Sequence, residues 1–215
     1  MDVLLALEAV VKELLHKYTI TMENQLIIFA KNPVLGKVKT RLSATIGDEK
    51  ALDVYKELLD HTCAIASKAK GDKIVYYSDF VNNDDLWKRA NFTQALQHGD
   101  DLGQRMSNAF KEAFKSFKGK VVIIGTDCKE LSTEIIDQAF SGLEYADIVI
   151  GPALDGGYYL IGMKSLEEEL FKNIEWSTSA VLEQTIDKVD TKRLSFLLLK
   201  TLSDIDNEED LTRSI

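Results

Sequence analysis

From Gln25 onward the chain alternates short apolar runs with segments whose apolar residues recur every three or four positions. The runs are QLIIFA, KIVYYS, FTQAL, KVVIIG, DIVIG, GYYLIGM and RLSFLLLK, and they have the length of buried strands. Between them the spacing predicts helices over about Asp48 to Lys70, near Asp85, over about Leu102 to Phe117, over about Ser132 to Leu143 and near Ser179 to Val189. Short strands alternating with helices indicate an α/β fold with a mostly parallel sheet covered on both faces. Ahead of this set, Leu4, Leu7, Val11, Leu14 and Tyr18 form one apolar stripe. That pattern predicts an amphipathic helix within residues 1–22, before a single domain over residues 23–215. The stripe can pack on its own domain or pair two subunits in a homodimer.

Composition narrows the function. The 215 residues are 45% hydrophobic and carry a formal net charge of -9, with a pI near 4.9. A net acidic chain lacks the broad basic face that displaces counterions from nucleic acid, so nucleic acid is not an expected partner. No segment reads as a signal peptide or membrane span, and Cys63 and Cys128 have no metal or redox spacing. A cytoplasmic protein with reduced thiols and no membrane partner is the expectation.

Against the acidic background, KNPVLGKVKTRL follows the first apolar run and concentrates Lys31, Lys37, Lys39 and Arg41. In open α/β sheets, ligands bind beyond the carboxyl ends of the strands, so this loop suggests a polyanion site, such as one for a nucleotide diphosphate. Gly36 permits a backbone geometry that a side chain would hinder, and Arg41 can grip two phosphate oxygens through its planar fork. The four cations taken alone are equally consistent with a solvated loop.

Three further segments end on the same edge. VVIIGTDCKEL delivers Asp127, a ligand for Mg2+ or Mn2+ or a cap for the following turn. GPALDGGYYLIGM holds Asp155 beside Gly156 and Gly157, where Asp155 could act as a general base and the glycines could mark close backbone approach or a tight turn. Tyr158 and Tyr159 would point to opposite faces if extended. LSDIDNEEDL brings Asp204 and Asp206 to a strand end, with Asp206 a second metal ligand or the start of a helix. QHGDDLGQRM offers Arg105 as a phosphate partner and Gln97 as a base or sugar contact.

In this order, FAKNPVLGKVKTRL, QHGDDLGQRM, VVIIGTDCKEL, GPALDGGYYLIG, IEWSTSAVLEQT and DIDNEEDL resemble the bacterial radical-SAM/selenodomain-associated transferase 1 family. The resemblance spans about Gln25 to Leu211. It implies a three-layer, Rossmann-like nucleotide-diphospho-sugar transferase fold of the glycosyltransferase-A type. It also implies Lys39 and Arg41 in the phosphate loop, Asp127 as metal carboxylate, and Asp155, Gly156 and Gly157 on the acceptor side. Trp176, Ser177 and Thr178 match the family's WST segment. Lys129 and Leu35 stand where the family commonly has proline, and Asp127 is not part of an Asp-x-Asp pair. The expected activity is metal-dependent transfer of a glycosyl group from a nucleotide sugar to an unidentified small-molecule acceptor. The alternatives are nucleotidyl transfer from a nucleoside triphosphate, and nucleotide binding without turnover.

Overall fold

The computed structural model describes residues 23–116 and 119–213. The amphipathic helix expected within residues 1–22 lies outside the described residues, as does any pairing through it.

Among the described residues seven strands form one sheet: β1 (Glu23–Ala30), β2 (Asp72–Tyr77), β3 (Thr93–Leu96), β4 (Gly119–Ile124), β5 (Ile148–Pro152), β6 (Tyr158–Met163) and β7 (Phe196–Leu198). Their order is β3-β2-β1-β4-β6-β5-β7. Only β6 runs against its neighbours, pairing antiparallel with both β4 and β5. The helices are α1 (Thr40–Ile46), α2 (Asp48–Lys68), α3 (Leu86–Arg89), α4 (Leu102–Ser116), α5 (Thr133–Gly142), α6 (Val181–Thr191) and α7 (Glu208–Arg213), with a 3-10 turn at Glu168–Phe171. The predicted α/β class, with a mostly parallel mixed sheet, is what the chain adopts.

Alternation along the central strands sends side chains to two cores. Leu26, Ile28, Val122 and Ile124 pack with Tyr55 and Leu59 of α2 and Ile136 and Phe140 of α5. Ile27, Val121 and Ile123 face the other way, onto Met106 and Phe110 of α4, Phe171 of the 3-10 turn and Val189 of α6. Both faces are covered, which is why these strands read as unbroken apolar runs rather than alternating ones. The same period separates the two tyrosines, with Tyr159 in the first core and Tyr158 against the second.

Three local expectations change. Thr40–Ile46, read as the end of a loop, is helical, and only Leu42 of that helix is buried, so no apolar stripe announces it. Pro152, which the sequence places just past the apolar run DIVIG, lies inside the end of β5, at a register irregularity. A proline has no N–H to donate to the ladder, and an irregularity is where a strand tolerates that loss. RLSFLLLK supplies only three paired residues, because β7 is an edge strand with Leu197 and Leu198 both exposed.

The chain runs outward from β1 through β2 to β3, then crosses back to place β4 on the other side of β1. This makes the β1–β4 boundary a topological switch point, where the loops leaving the two strands diverge and open a crevice at the carboxyl edge. Because β6 is reversed, its amino-terminal end reaches that same edge through residues 153–157.

Candidate functional site

The crevice is a cleft of about 740 Å³, lined from the β1 loop by Lys31, Lys39 and Arg41 and from the β4 loop by Thr126 and Asp127. This is a size typical of small-molecule sites. The turn before β6 adds Asp155 and Gly157, α4 adds Leu102 and Arg105, and the carboxyl-terminal segment adds Asp204 and Asp206. Lys37 is exposed, and neither it nor Gly36 lines the cleft.

Lys39 is the centre of the β1–β4 side of the cleft. It precedes α1 in a left-handed conformation, φ 48 and ψ 43, and only 8% of the residue is exposed. Its Nζ lies 2.5 Å from Asp127 Oδ1 and 3.2 Å from Asp206 Oδ1. Burial works against the ammonium, but the two carboxylates outweigh it and hold its pKa above the ordinary lysine value. Arg41 sits one helical residue further on, largely exposed, with Nη1 3.8 Å from Asp206 Oδ2. Gly36 takes φ 71 in the turn before Lys39, a conformation that a side chain would strain.

Backbone pairing explains how Asp204 and Asp206 arrive. Leu202 N donates to Pro152 O, and Ile205 N donates to Asp127 O at 2.9 Å, so this stretch is stitched first to the end of β5 and then to the β4 loop. Leu202 and Ile205 are buried, anchoring the segment while Asp204 and Asp206 line the cleft. Asp204 goes deeper: its Oδ1 is buried without a hydrogen-bond partner among the described residues. Burial first, then the charges of Asp127 and Asp155, push its pKa up to about 7. Asn207 closes the edge by capping α7, its Oδ1 accepting from Asp210 N.

Two residues that sequence reasoning passed over fix the loops. Tyr55 of α2 accepts from Lys31 N at 2.9 Å, bonds Lys31 O at 3.1 Å and lies 3.2 Å from Thr126 Oγ1, tying the β1 and β4 loops together. Asn32 is 3% exposed; its Nδ2 donates to Phe80 O, and its Oδ1 accepts from the amides of Asp79 and Phe80, clamping the β2 loop to the β1 loop. A single Tyr in a long helix and an Asn before a proline carry no sequence signal for these contacts. Gln97 plays a similar part, its Nε2 donating to Tyr76 O at 2.9 Å.

On the other side Asp155 is exposed, and its Oδ1 accepts from Gly157 N at 2.8 Å. Gly156, at φ 89, does not line the cleft; a Cβ there would lie 2.2 Å from Ser179 O, so this glycine admits the WST segment rather than a ligand. Trp176 packs on Gly103 and meets Tyr158 edge-on at 6.5 Å, walling the cleft. Arg105, half-buried, donates from Nε to Gly99 O at 3.0 Å. Lys129 is exposed and does not line the cleft; the cation beside Asp127 is Lys39.

Asp127, Asp204 and Asp206 present oxygen donors, which suit a hard divalent cation, and Asp204 adds an oxygen without a partner. No trio of ligating side chains among the described residues is arranged to hold a cation alone. Asp127 and Asp206, which share Lys39 Nζ at 2.5 and 3.2 Å, match the one or two carboxylates that Mg2+ characteristically takes together with substrate phosphates.

Sheet order, switch point and charged edge define an α/β protein with the nucleotide-diphospho-sugar transferase fold. The chain belongs to the family described as "Uncharacterized protein conserved in bacteria (DUF2064)", whose profile matches residues 59–178. It is 32% identical to a candidate nucleotide-diphospho-sugar transferase from Desulfovibrio desulfuricans G20, with a TM-score of 0.80 over 89% of this chain and 85% of that one. The inositol-1-phosphate CTP transferase from T. maritima has a TM-score of 0.55 at 12% identity, covering 88% of this chain and 91% of that one. Rv0371c from Mycobacterium tuberculosis H37Rv, solved in complex with manganese, has a TM-score of 0.52 at 12% identity, covering 90% of this chain and 98% of that one. At 12% identity the likeness is one of fold. No curated protein matches the chain. No described helix is long and apolar enough to cross a membrane.

Proposed function

We propose that the protein is a metal-dependent transferase that binds a nucleotide-diphosphate sugar and passes the glycosyl group to a small acceptor. The observation that carries this reading is the Lys39–Asp127–Asp206 cluster, flanked by Arg41, at the mouth of a cleft on the β1–β4 switch point. The named activity of the D. desulfuricans relative and the resemblance to the radical-SAM/selenodomain-associated transferase 1 family support it.

Lys39 and Arg41 meet the diphosphate and stabilise the charge it gains as the glycosyl bond breaks. Asp127 and Asp206 would hold a Mg2+ or Mn2+, which would supply further positive charge to the departing diphosphate. Asp155, across the cleft, takes the proton of the acceptor hydroxyl. Arg105 and Lys31 contact the remaining polar groups of the donor, and Trp176 and Tyr158 bound the acceptor.

A second reading is nucleotidyl transfer, in which a phosphorylated acceptor attacks the α-phosphorus of a nucleoside triphosphate and pyrophosphate leaves. It draws support from the lone Asp127 in place of an Asp-x-Asp pair and from the name of the T. maritima neighbour, a CTP transferase. Incubation with nucleotide sugars and nucleoside triphosphates, each with Mg2+ or Mn2+, separates the two by 31P NMR. Nucleoside diphosphate release identifies glycosyl transfer, and pyrophosphate release identifies nucleotidyl transfer. If neither product forms while nucleotides still stabilise the protein thermally, the protein binds without turnover.

A further inference from the structure

The two carboxylates assigned to the metal already share a cation. Lys39 Nζ stands 2.5 Å from Asp127 Oδ1 and 3.2 Å from Asp206 Oδ1, so a divalent ion on those oxygens would lie against the ammonium. Like charges so close repel strongly where little water screens them, and one of the two must give way. We propose that Lys39 and the divalent cation are alternative partners of the Asp127–Asp206 pair, and that Lys39 yields the pair only when a diphosphate is present to receive its ammonium. This rests on the metal and nucleotide reading above and extends it to the order of binding.

Burial makes the exchange conditional. Lys39 is nearly sealed from solvent, and its left-handed backbone at the start of α1 fixes where the side chain begins. If metal alone took the carboxylates, the ammonium would remain buried beside a dication with no anion to satisfy it, an expensive arrangement. A diphosphate removes that obstacle twice: its oxygens accept the ammonium, and they complete the coordination of the metal. Arg41, largely exposed and 3.8 Å from Asp206 Oδ2, can swing to solvent or phosphate and does not block the exchange. Asp204, whose Oδ1 is buried without a partner among the described residues, lines the same cleft. Metal and diphosphate should therefore each raise the other's affinity by the same factor.

The test is equilibrium Mn2+ binding followed by electron paramagnetic resonance, with pyrophosphate as a diphosphate that carries no base. Wild-type protein should bind Mn2+ at least about tenfold more tightly with pyrophosphate than without it. Lys39→Met should bind Mn2+ alone about tenfold more tightly than wild type, and Lys39→Arg, which keeps the charge, should not. Wild-type binding with pyrophosphate but no gain in a folded Lys39→Met would overturn the exchange and leave the metal reading standing. Absence of Mn2+ binding even with pyrophosphate would overturn both. If Lys39→Met does not fold, the 15N ammonium resonance of Lys39 in wild type decides. It should stay in place with Mg2+ alone and move when Mg2+ and pyrophosphate are added together; an unmoved resonance in the second case overturns the exchange.

Discussion

On the β1–β4 side of the cleft, Lys39 is nearly sealed from solvent and holds two carboxylates, and Tyr55 and Asn32 fasten the loops around it. On the β5–β6 side, Asp155 is exposed and bonds to the backbone of its own turn. The difference matches what each side would meet. Phosphates have a fixed shape and charge, and fixed, preorganised charges stabilise them without reorganisation at the moment of reaction. A proton acceptor for a hydroxyl must remain accessible to a second substrate.

The contrast is most easily broken at Asp155. Asp155→Asn should lower turnover by roughly 10²- to 10⁴-fold, the usual range for losing a general base, while nucleotide affinity stays within a factor of about two. Loss of nucleotide binding in that variant would move Asp155 to the phosphate side and dissolve the distinction.

Next in size is Asp204, the half-buried acid between the two sides, whose Oδ1 is shut off from solvent. Its carboxyl keeps its proton to about pH 7 in the folded protein, against an ordinary value of 3.8. Between those values the native state binds more protons than the unfolded chain, so this group makes stability fall as pH rises from about 4 towards 7. Asp204→Asn removes that dependence and should stabilise the protein at pH 8 by roughly 2 to 4 kcal/mol, with little gain at pH 4. Denaturant melts at the two pH values measure it, and an equal change at both would show that Asp204 is not the source.

The smallest effect is expected at Arg41. Arg41→Ala should weaken nucleotide binding by roughly 1 to 2 kcal/mol, the loss of a charge-assisted hydrogen bond at a solvated position. Calorimetry should show the loss shrinking at higher salt, because exposed charges are screened. A salt-independent loss would indicate that Arg41 turns inward when ligand binds.

Much of this contrast could be read before the structure, for a physical reason. Strands buried on both faces write themselves as apolar runs, and the last residue of each run parallel to β1 marks a loop at the carboxyl edge, so Lys39, Asp127, Asp155 and Asp206 could be gathered there from sequence. Contacts within the edge were not legible. That Lys39 bridges Asp127 and Asp206 depends on Ile205 pairing with Asp127 across 78 positions of sequence, a registration no local pattern encodes. The different surroundings of Asp204 Oδ1, buried without a partner among the described residues, and Asp206 Oδ1, paired with Lys39, have the same origin. Helix α1 escaped notice because seven residues with one buried side chain leave no periodic trace, although its first turn carries Arg41.

The most direct test of the central claim, a metal-assisted diphosphate site on the β1–β4 edge, is the thermal shift given by nucleotides and nucleotide sugars with and without Mg2+ or Mn2+, in wild type and in Asp127→Asn. Selective binding to the native state adds about 2.7 kcal/mol of stability at a hundred times the dissociation constant, which is readily seen. At least one nucleotide should stabilise wild type more with metal than without it, and Asp127→Asn should lose the metal-dependent part. The same metal-dependent shift in Asp127→Asn would contradict the account.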